Sequence, residues 1–306
     1  MTISRRSQVS VVLLLLVIPL MFSTSAGDGS AGSFGGPAIL IEEKTATWCG
    51  PCAEFDPHLA EFIVDAGGRA VLASHHPDDG QDPLGSPASA HRLSRLGASS
   101  STVTPTLWFD GGEGVSGPLT RNDLSRQISS AEGSRSISSR LTIIPAAMTL
   151  ETAGVTVILD AAAMDVSNTS LTVMLVETSV VRPAGGIEGD PLWTVTRGVA
   201  EIDLQTDSFV TELPADYWSV KGDAATALDL KIALDPSWQL DSLGWIVVHE
   251  RVAGGEVVEV FGAHALLPDG GFDEDLSPRW MIGAGILLMA VGARIWRSKS
   301  GAQEGV

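Results

Sequence analysis

Ile39-Leu40-Ile41-Glu42-Glu43-Lys44-Thr45-Ala46-Thr47-Trp48-Cys49-Gly50-Pro51-Cys52 contains both cysteines of this 306-residue chain. Its opening, with Ala38 before it, is a short apolar run of the kind that fills a central strand. A polar turn follows. Pro51 then falls in the first turn of a helix, where its missing N–H would have been unpaired anyway. Phe55, Leu59, Phe62 and Ile63 are spaced to bury one face of that helix. Cysteines that staple a small fold come in even numbers scattered across long loops, whereas here the whole supply is one Cys-x-x-Cys pair. Two thiols at this spacing can close a disulfide within one helical turn, open it, and pass two electrons to another dithiol. An inert buried disulfide is the alternative. Zinc needs four ligands, and two sulfurs without a His-x-x-x-His partner do not supply them. The spacing predicts Cys49 at the helix N-terminus, where unpaired N–H groups and the positive end of the helix dipole favour a thiolate. Cys49 is therefore expected to attack, and Cys52, one turn inside, to resolve.

The stretch from Ile39 to Cys52 resembles the second core strand and active-site turn of the thioredoxin family, and Pro57 matches the proline that bends that family's long active-site helix. Downstream, Val103-Thr104-Pro105-Thr106-Leu107-Trp108-Phe109-Asp110-Gly111-Gly112 resembles the family's cis-proline segment, strand and hairpin turn. The two motifs occur in the family's order, and the resemblance covers residues 37–133. It implies an α/β thioredoxin-like fold there and a catalytic set of Cys49, Cys52, Pro105 and Glu43. It also implies a cis Pro105 against the disulfide and a Thr104 whose backbone bonds an extended substrate strand, with Trp48, Gly50 and Pro51 completing the substrate surface. Glu43 falls where thioredoxins carry a buried acid that relays a proton to and from the inner cysteine; by its position alone it is a strand-end residue facing solvent. Thr104 replaces the family's usual aliphatic and is more typical of extracytoplasmic relatives, including disulfide isomerases. No organic cofactor and no metal is expected, because the sulfurs carry the electrons.

Between the two motifs, Ser74-His75-His76-Pro77-Asp78-Asp79-Gly80-Gln81-Asp82-Pro83 invites a metal reading. Pro, Gly and Asp at this density are ordinary loop chemistry, however, and no ligand pair has the i, i+4 spacing of a helix face. A loop at the rim of the active site is expected, followed by a helix from Pro87 to Leu96 that carries His91. Over residues 137–267 the texture changes to apolar, β-branched runs with turn residues between them: Leu141 to Leu150, Val155 to Met164, Leu171 to Thr178, Val195 to Leu204, Ala227 to Leu234, Trp245 to His249 and Val257 to Ala265. Strands at that spacing predict an antiparallel β-sandwich of about 130 residues, with His249 and His264 as strand residues. Val176-Glu177-Thr178 and Trp245-Ile246-Val247-Val248-His249-Glu250 resemble an outer-membrane-protein family of bacterial cell envelopes, in which a thioredoxin-like domain precedes such a sandwich.

Arg5-Arg6, the apolar run Val9 to Phe22 and Thr24-Ser25-Ala26 have the layout of a secretory signal over residues 1–26, with a linker over 27–36. Trp280 to Trp296 is almost wholly apolar and, at about 1.5 Å per residue, reaches roughly 25 Å, near the short limit for crossing a bilayer. A buried core helix is the alternative. Asp273, Glu274 and Asp275 in the linker 268–279 precede this run, and Arg294, Arg297 and Lys299 end it, which predicts a cytoplasmic tail over 297–306. With 37 acids against 19 bases, the net charge of −18 disfavours nucleic acid as a partner. The sequence thus predicts an α/β thioredoxin-like fold followed by an all-β antiparallel sandwich, with a single C-terminal transmembrane helix. The expected protein is a membrane-anchored, extracytoplasmic thiol–disulfide oxidoreductase acting on protein dithiols or disulfides, with a membrane electron carrier as a further partner if it works as a reductase. The competing reading is a non-enzymatic envelope module in which the sandwich binds and the thioredoxin-like part is a spacer.

Overall fold

The computed structural model describes residues 33–268, apart from 162, 163, 185 and 224. Strand β1 (Ser33–Lys44) is apolar on both faces at Ala38–Ile41, so it needs cover on both sides, and the two covers are different. On one face Ile39 and Ile41 meet Phe55, Leu59 and Ile63 of helix α1 (Gly50–Asp65) and Leu124 and Ile128 of helix α3 (Arg121–Ser134). The same apolar layer takes in Leu72 of β2 (Ala70–His75), parallel to β1, and Leu107 of β3 (Thr106–Phe109), antiparallel to it. A two-residue strand, β4 (Val115–Ser116), pairs with β3.

No helical layer covers the other face of β1. Instead β1 pairs in parallel with β13 (Glu256–Leu266), which pairs with β12 (Leu243–Ala253), then β7 (Ser170–Glu177), then β8 (Val195–Asp203). β8 meets β2 at Ser74 and Val195, and β2 returns to β1, so these six strands close into a barrel. Its interior is filled from all six: Ala38 and Leu40, Val71 and Ala73, Met174 and Val176, Val199, Ile246 and Val248, and Ala263. Strand alternation turns the intervening residues of β7, β8 and β12 outward, where they are covered by a layer built of β5 (Arg140–Pro145), β6 (Thr152–Asp160), β11 (Ala227–Ala233) and β10 (Trp218–Asp223). β9 (Ser208–Leu213) pairs with the edge of β8.

Helix α2 (Pro87–Arg95) adds Ala88 to the barrel core and sends Arg92, fully buried, into a group of carboxylates. The guanidinium donates to both oxygens of Glu42 at 2.9 and 2.8 Å and to both oxygens of Glu250 at 2.6 and 3.2 Å. His75 lies 3.0 Å from Glu42 through Nε2, and Arg95 and His91 hold Glu201 at 2.7 and 2.8 Å. Burial acts to raise Glu42, but the charge of Arg92 and the bonds from His75 and Arg92 outweigh it and hold its pKa at about 2.

Two expectations are corrected here. The α/β thioredoxin-like fold followed by a separate all-β antiparallel sandwich does not form. Among the described residues there are thirteen strands and three α-helices, and the strands make one continuous sheet that joins both halves of the chain. The physical reason is the second face of β1 and β2, which is satisfied by β7, β8, β12 and β13 rather than by helices. The single-pass, membrane-anchored placement is not supported either, since no helix among the described residues is long and apolar enough to cross a membrane. The expected span at Trp280 to Trp296, the tail 297–306 and the signal 1–26 lie outside the described residues.

Candidate active site

Cys49 and Cys52 form a disulfide. Cys49 is the N-cap of α1, with Pro51 in the first turn, and its Sγ accepts a hydrogen bond from the Cys52 N–H at 3.2 Å. The sulfur therefore faces the unpaired amides of the helix start, a setting that favours a thiolate once the bond is reduced. The two cysteines differ in access: Cys49 is 4% exposed and Cys52 is 0%. Ala46, at the turn that leaves β1, packs against both. The Thr104–Pro105 bond is cis, and the carbonyl oxygen of Thr104 lies 3.4 Å from Cys49 Sγ, within reach of a thiol donor. Pro105 itself is buried. Around this largely buried pair the surface is apolar, with Trp48 44% exposed, Val103 57% and Ile187 39%. A cleft of about 710 Å3 opens beside Gly50 and Pro51, floored by Phe55, Leu119 and Leu124 and edged by His58 and Arg121.

Behind the disulfide lies a polar cluster. Glu43 points to the helix side of β1 and is buried, with a 3.5 Å hydrogen bond from the Ser74 hydroxyl to Oε2. Asp56, one helical turn beyond Cys52 on the same face of α1, is also buried. Its Oδ2 accepts from the Thr45 hydroxyl at 3.1 Å and from Arg182 Nη2 at 3.0 Å. Glu43 and Asp56 interact directly, and burial together with the Asp56 charge pushes the Glu43 carboxyl well above the usual range. Burial raises Asp56 too, against the opposing pull of Arg182, the Thr45 hydroxyl and His76. The cysteine-bearing turn is held from the segment after β2: Asp82 accepts from the Thr47 amide at 2.8 Å and the Thr47 hydroxyl at 3.1 Å, and His76 Nδ1 lies 2.8 Å from its Oδ2.

Arg182 comes from the loop 178–194 between β7 and β8, which reaches across to the cysteine turn. The Ile187 amide donates to the Thr47 carbonyl at 2.9 Å. Gly186 lies so close that a Cβ would sit 3.1 Å from the Thr47 carbonyl oxygen, and a Cβ on Gly50 would meet the Ile187 side chain at 3.7 Å. Arg182 is further fixed by donating from Nε to the Asp190 carbonyl at 3.0 Å.

The structure therefore gathers Cys49, Cys52, Trp48, Gly50, Pro51, Thr104 and Pro105 at one place, with Glu43 behind them rather than facing solvent. The His- and Asp-rich segment 74–83 contributes Asp82 and His76 as supports of the turn. Among the described residues no group of three or more His, Cys, Asp or Glu is placed to hold a metal ion. Asp56 and Arg182 were not expected. Asp56 had a signal in its i, i+4 spacing from Cys52; Arg182, in the far half of the chain, had none.

No family model matches this chain, and no curated protein matches it. Among solved structures it is similar to HBP35 of Porphyromonas gingivalis, with 15% sequence identity and a TM-score of 0.55, over 79% of this chain and 78% of that one. At that identity the likeness is one of fold alone.

Proposed function

We propose that the protein is a thiol–disulfide oxidoreductase in which Cys49 and Cys52 exchange electrons with disulfides or dithiols of other proteins. The observation that carries this reading is the asymmetry of the pair: the sulfur at the helix N-terminus is the outer one, and the buried one has ionisable groups behind it. In the reducing direction, Cys49 thiolate attacks a substrate disulfide, forms a mixed disulfide and releases the first substrate thiolate. Cys52, deprotonated, then attacks Cys49 Sγ; the Cys49–substrate bond breaks, the second substrate thiolate leaves, and the Cys49–Cys52 disulfide closes. Two electrons pass to the substrate, the protein dithiol is oxidised, and two protons end on the substrate thiols. The oxidising direction is the reverse.

Trp48, Val103 and Ile187 support a protein as substrate, because an apolar collar around a recessed sulfur suits an extended chain better than a small charged thiol. Thr104 and Pro105 lie where such a chain would find backbone partners. Glu43 supplies the proton-carrying acid, and Gly50 and Pro51 form the surface beside the recessed Cys49.

The test is Cys52→Ala in the full chain. Without the resolving thiol the mixed disulfide has no rapid intramolecular exit, so adducts through Cys49 are expected on non-reducing gels and should vanish when Cys49 is also replaced. Absence of adducts, with function intact after both cysteines become Ser, would sink the enzyme reading.

A further inference from the structure

We infer that Arg182 is a positioning residue for the Cys49–Cys52 pair: from the loop 178–194 it anchors Asp56 as the ionised member of the Glu43–Asp56 couple, so that Cys52 has a carboxylate to take its proton and a carboxylic acid to return it. This rests on the oxidoreductase reading above and assigns a catalytic-site role to the half of the chain that carries no cysteine.

The charge arrangement follows from the geometry. Glu43 Oε1 and Asp56 Oδ1 are buried and find no donor among the described residues. A single proton shared between the two carboxyls satisfies both. Two ionised carboxylates at this depth would leave the site with a net negative charge, while two neutral acids would leave Arg182, its side chain 5% exposed, as an unpaired buried cation. One proton, one anion and one cation is the neutral solution. The charged and titratable groups that face the couple are Arg182 from the β7–β8 loop and His76 from the segment after β2, with Asp82 bound to His76 on its far side. Arg182 is the one whose charge is fixed at all accessible pH.

During resolution the Cys52 thiol gives its proton to the couple. The Cys52 sulfur bonds to Cys49 Sγ and the Cys49–probe bond breaks. The departing aryl thiolate carries the electron pair away still ionised, while the proton stays on the couple until it passes to solvent. Losing Arg182 favours the doubly protonated couple, so a base is missing at neutral pH and returns only at higher pH.

The experiment uses the full chain, reduced and freed of reductant, with dithiobis(nitrobenzoate) as the disulfide. Attack by Cys49 releases one coloured thiolate and resolution by Cys52 releases the second, so the two steps separate in time. In Arg182→Gln the pH midpoint of the second phase is expected to rise by about 1–3 pH units with its high-pH plateau unchanged, the usual effect of removing an opposite charge at this range. Arg182→Lys is expected to restore the midpoint. With Asp56→Asn already present, Arg182→Gln should raise the midpoint by clearly less, because only the direct pull of Arg182 on Glu43 then remains. An unmoved midpoint, an equal rise in the Asp56→Asn background, or a lowered plateau at constant midpoint each overturns the inference. If Arg182→Gln does not fold, Asp56→Asn alone removes the carboxylate that Arg182 anchors and should displace the midpoint, and an unmoved midpoint there overturns the inference as well. The probe is not a protein, so these outcomes are independent of whether Cys52→Ala captures partners. Missing adducts with a shifted midpoint would refute protein substrates and leave the role of Arg182 standing.

Discussion

Cys49 caps its own helix through sulfur, and its Sγ takes the Cys52 amide that an N-cap serine or aspartate would otherwise take. That bond strengthens when the sulfur is an anion, and it is denied to Cys52, which lies inside the first turn. In the reduced protein at neutral pH, brief and limiting iodoacetamide should therefore modify Cys49 roughly tenfold or more ahead of Cys52, the effect of one pKa unit on thiolate fraction. Peptide mass spectrometry decides it, and preferential labelling of Cys52 would reverse the roles. His249 makes a second prediction at this scale. It is buried, Nε2 lies 3.0 Å from the Thr169 hydroxyl, and Nδ1 has no partner among the described residues. Burial, with the nearby Arg251 charge, lowers its pKa to about 4. A histidine depressed in the folded state is protonated first in the unfolded chain, so its contribution is complete above about pH 6.5 and is lost as pH falls toward 4. The loss is roughly 3 kcal/mol, and His75, also lowered by burial, acts in the same direction. Urea unfolding of His249→Gln between pH 7 and pH 4 should show a pH dependence shallower by about one proton; an unchanged slope would mean that His249 is protonated in the fold. Sequence made the outer residues of the site legible because they are adjacent in the chain or follow a known motif. It could not reveal Arg182, whose partner Asp56 is reached only through the closed barrel.

Helix α2 shows how a short element becomes a structural plug. Ser86 caps it by accepting from the Ser89 amide at 3.1 Å, Pro87 opens it, and nine residues suffice to carry Ala88 and Arg92 inward. The expected helix, Pro87 to Leu96, matches the observed one to within a residue. Its facing was not legible, because an arginine on a short amphipathic helix reads as solvent-exposed until Glu42 and Glu250 are brought together from β1 and β12. Arg92→Met should destabilise the fold by about 3–5 kcal/mol, since two buried carboxylates then lose their shared cation. Combining it with Glu42→Gln and Glu250→Gln should recover most of that loss, because no unpaired charge remains. Urea unfolding of the single and triple variants separates the two effects; equal destabilisation would show that packing of the guanidinium matters more than its charge. The strands were legible where they are apolar on both faces: β7 and β8 fall within a residue of the expected runs. β9 and β10 were missed, because Ser208–Leu213 and Trp218–Asp223 are largely exposed or half-buried and carry only three and two large apolar residues. An edge strand of that kind has no apolar period to distinguish it from a loop.

The whole molecule turns on how the second face of β1 is covered. Residues 37–133 carry a local order of strand, helix and strand that suggests independence, and the apolar run Ala38–Ile41 fits a two-faced central strand equally well. The sequence cannot show whether the second cover comes from a neighbouring helix or from strands far along the chain, since both satisfy the same residues. Here it comes from β7, β8, β12 and β13. A fragment spanning 33–135 would expose Ala38, Leu40, Val71 and Ala73 and remove Glu250 and Glu201 from the Arg92 cluster. At roughly 1.5–3 kcal/mol for each of Leu40 and Val71, that loss is about 3–6 kcal/mol, comparable to the low end of the roughly 5–15 kcal/mol of stability typical of a domain, before the alanines or any charge are counted. The fragment is therefore expected to bind anilinonaphthalene sulfonate and to lack a cooperative urea transition. The full chain should unfold as one unit, with tryptophan fluorescence and far-ultraviolet circular dichroism giving coincident curves. Trp108 lies in β3 and packs against Leu93 and Leu96, while Trp218 and Trp245 meet edge to face at 6.2 Å in the core under the outer β layer, so single-tryptophan variants can report on the two regions separately. Two resolved transitions, or a fragment that folds cooperatively by itself, would show that the barrel is a contact between independent domains. Coincident curves would place the Cys49–Cys52 pair and the loop bearing Arg182 in a single folding unit, as their joint role requires.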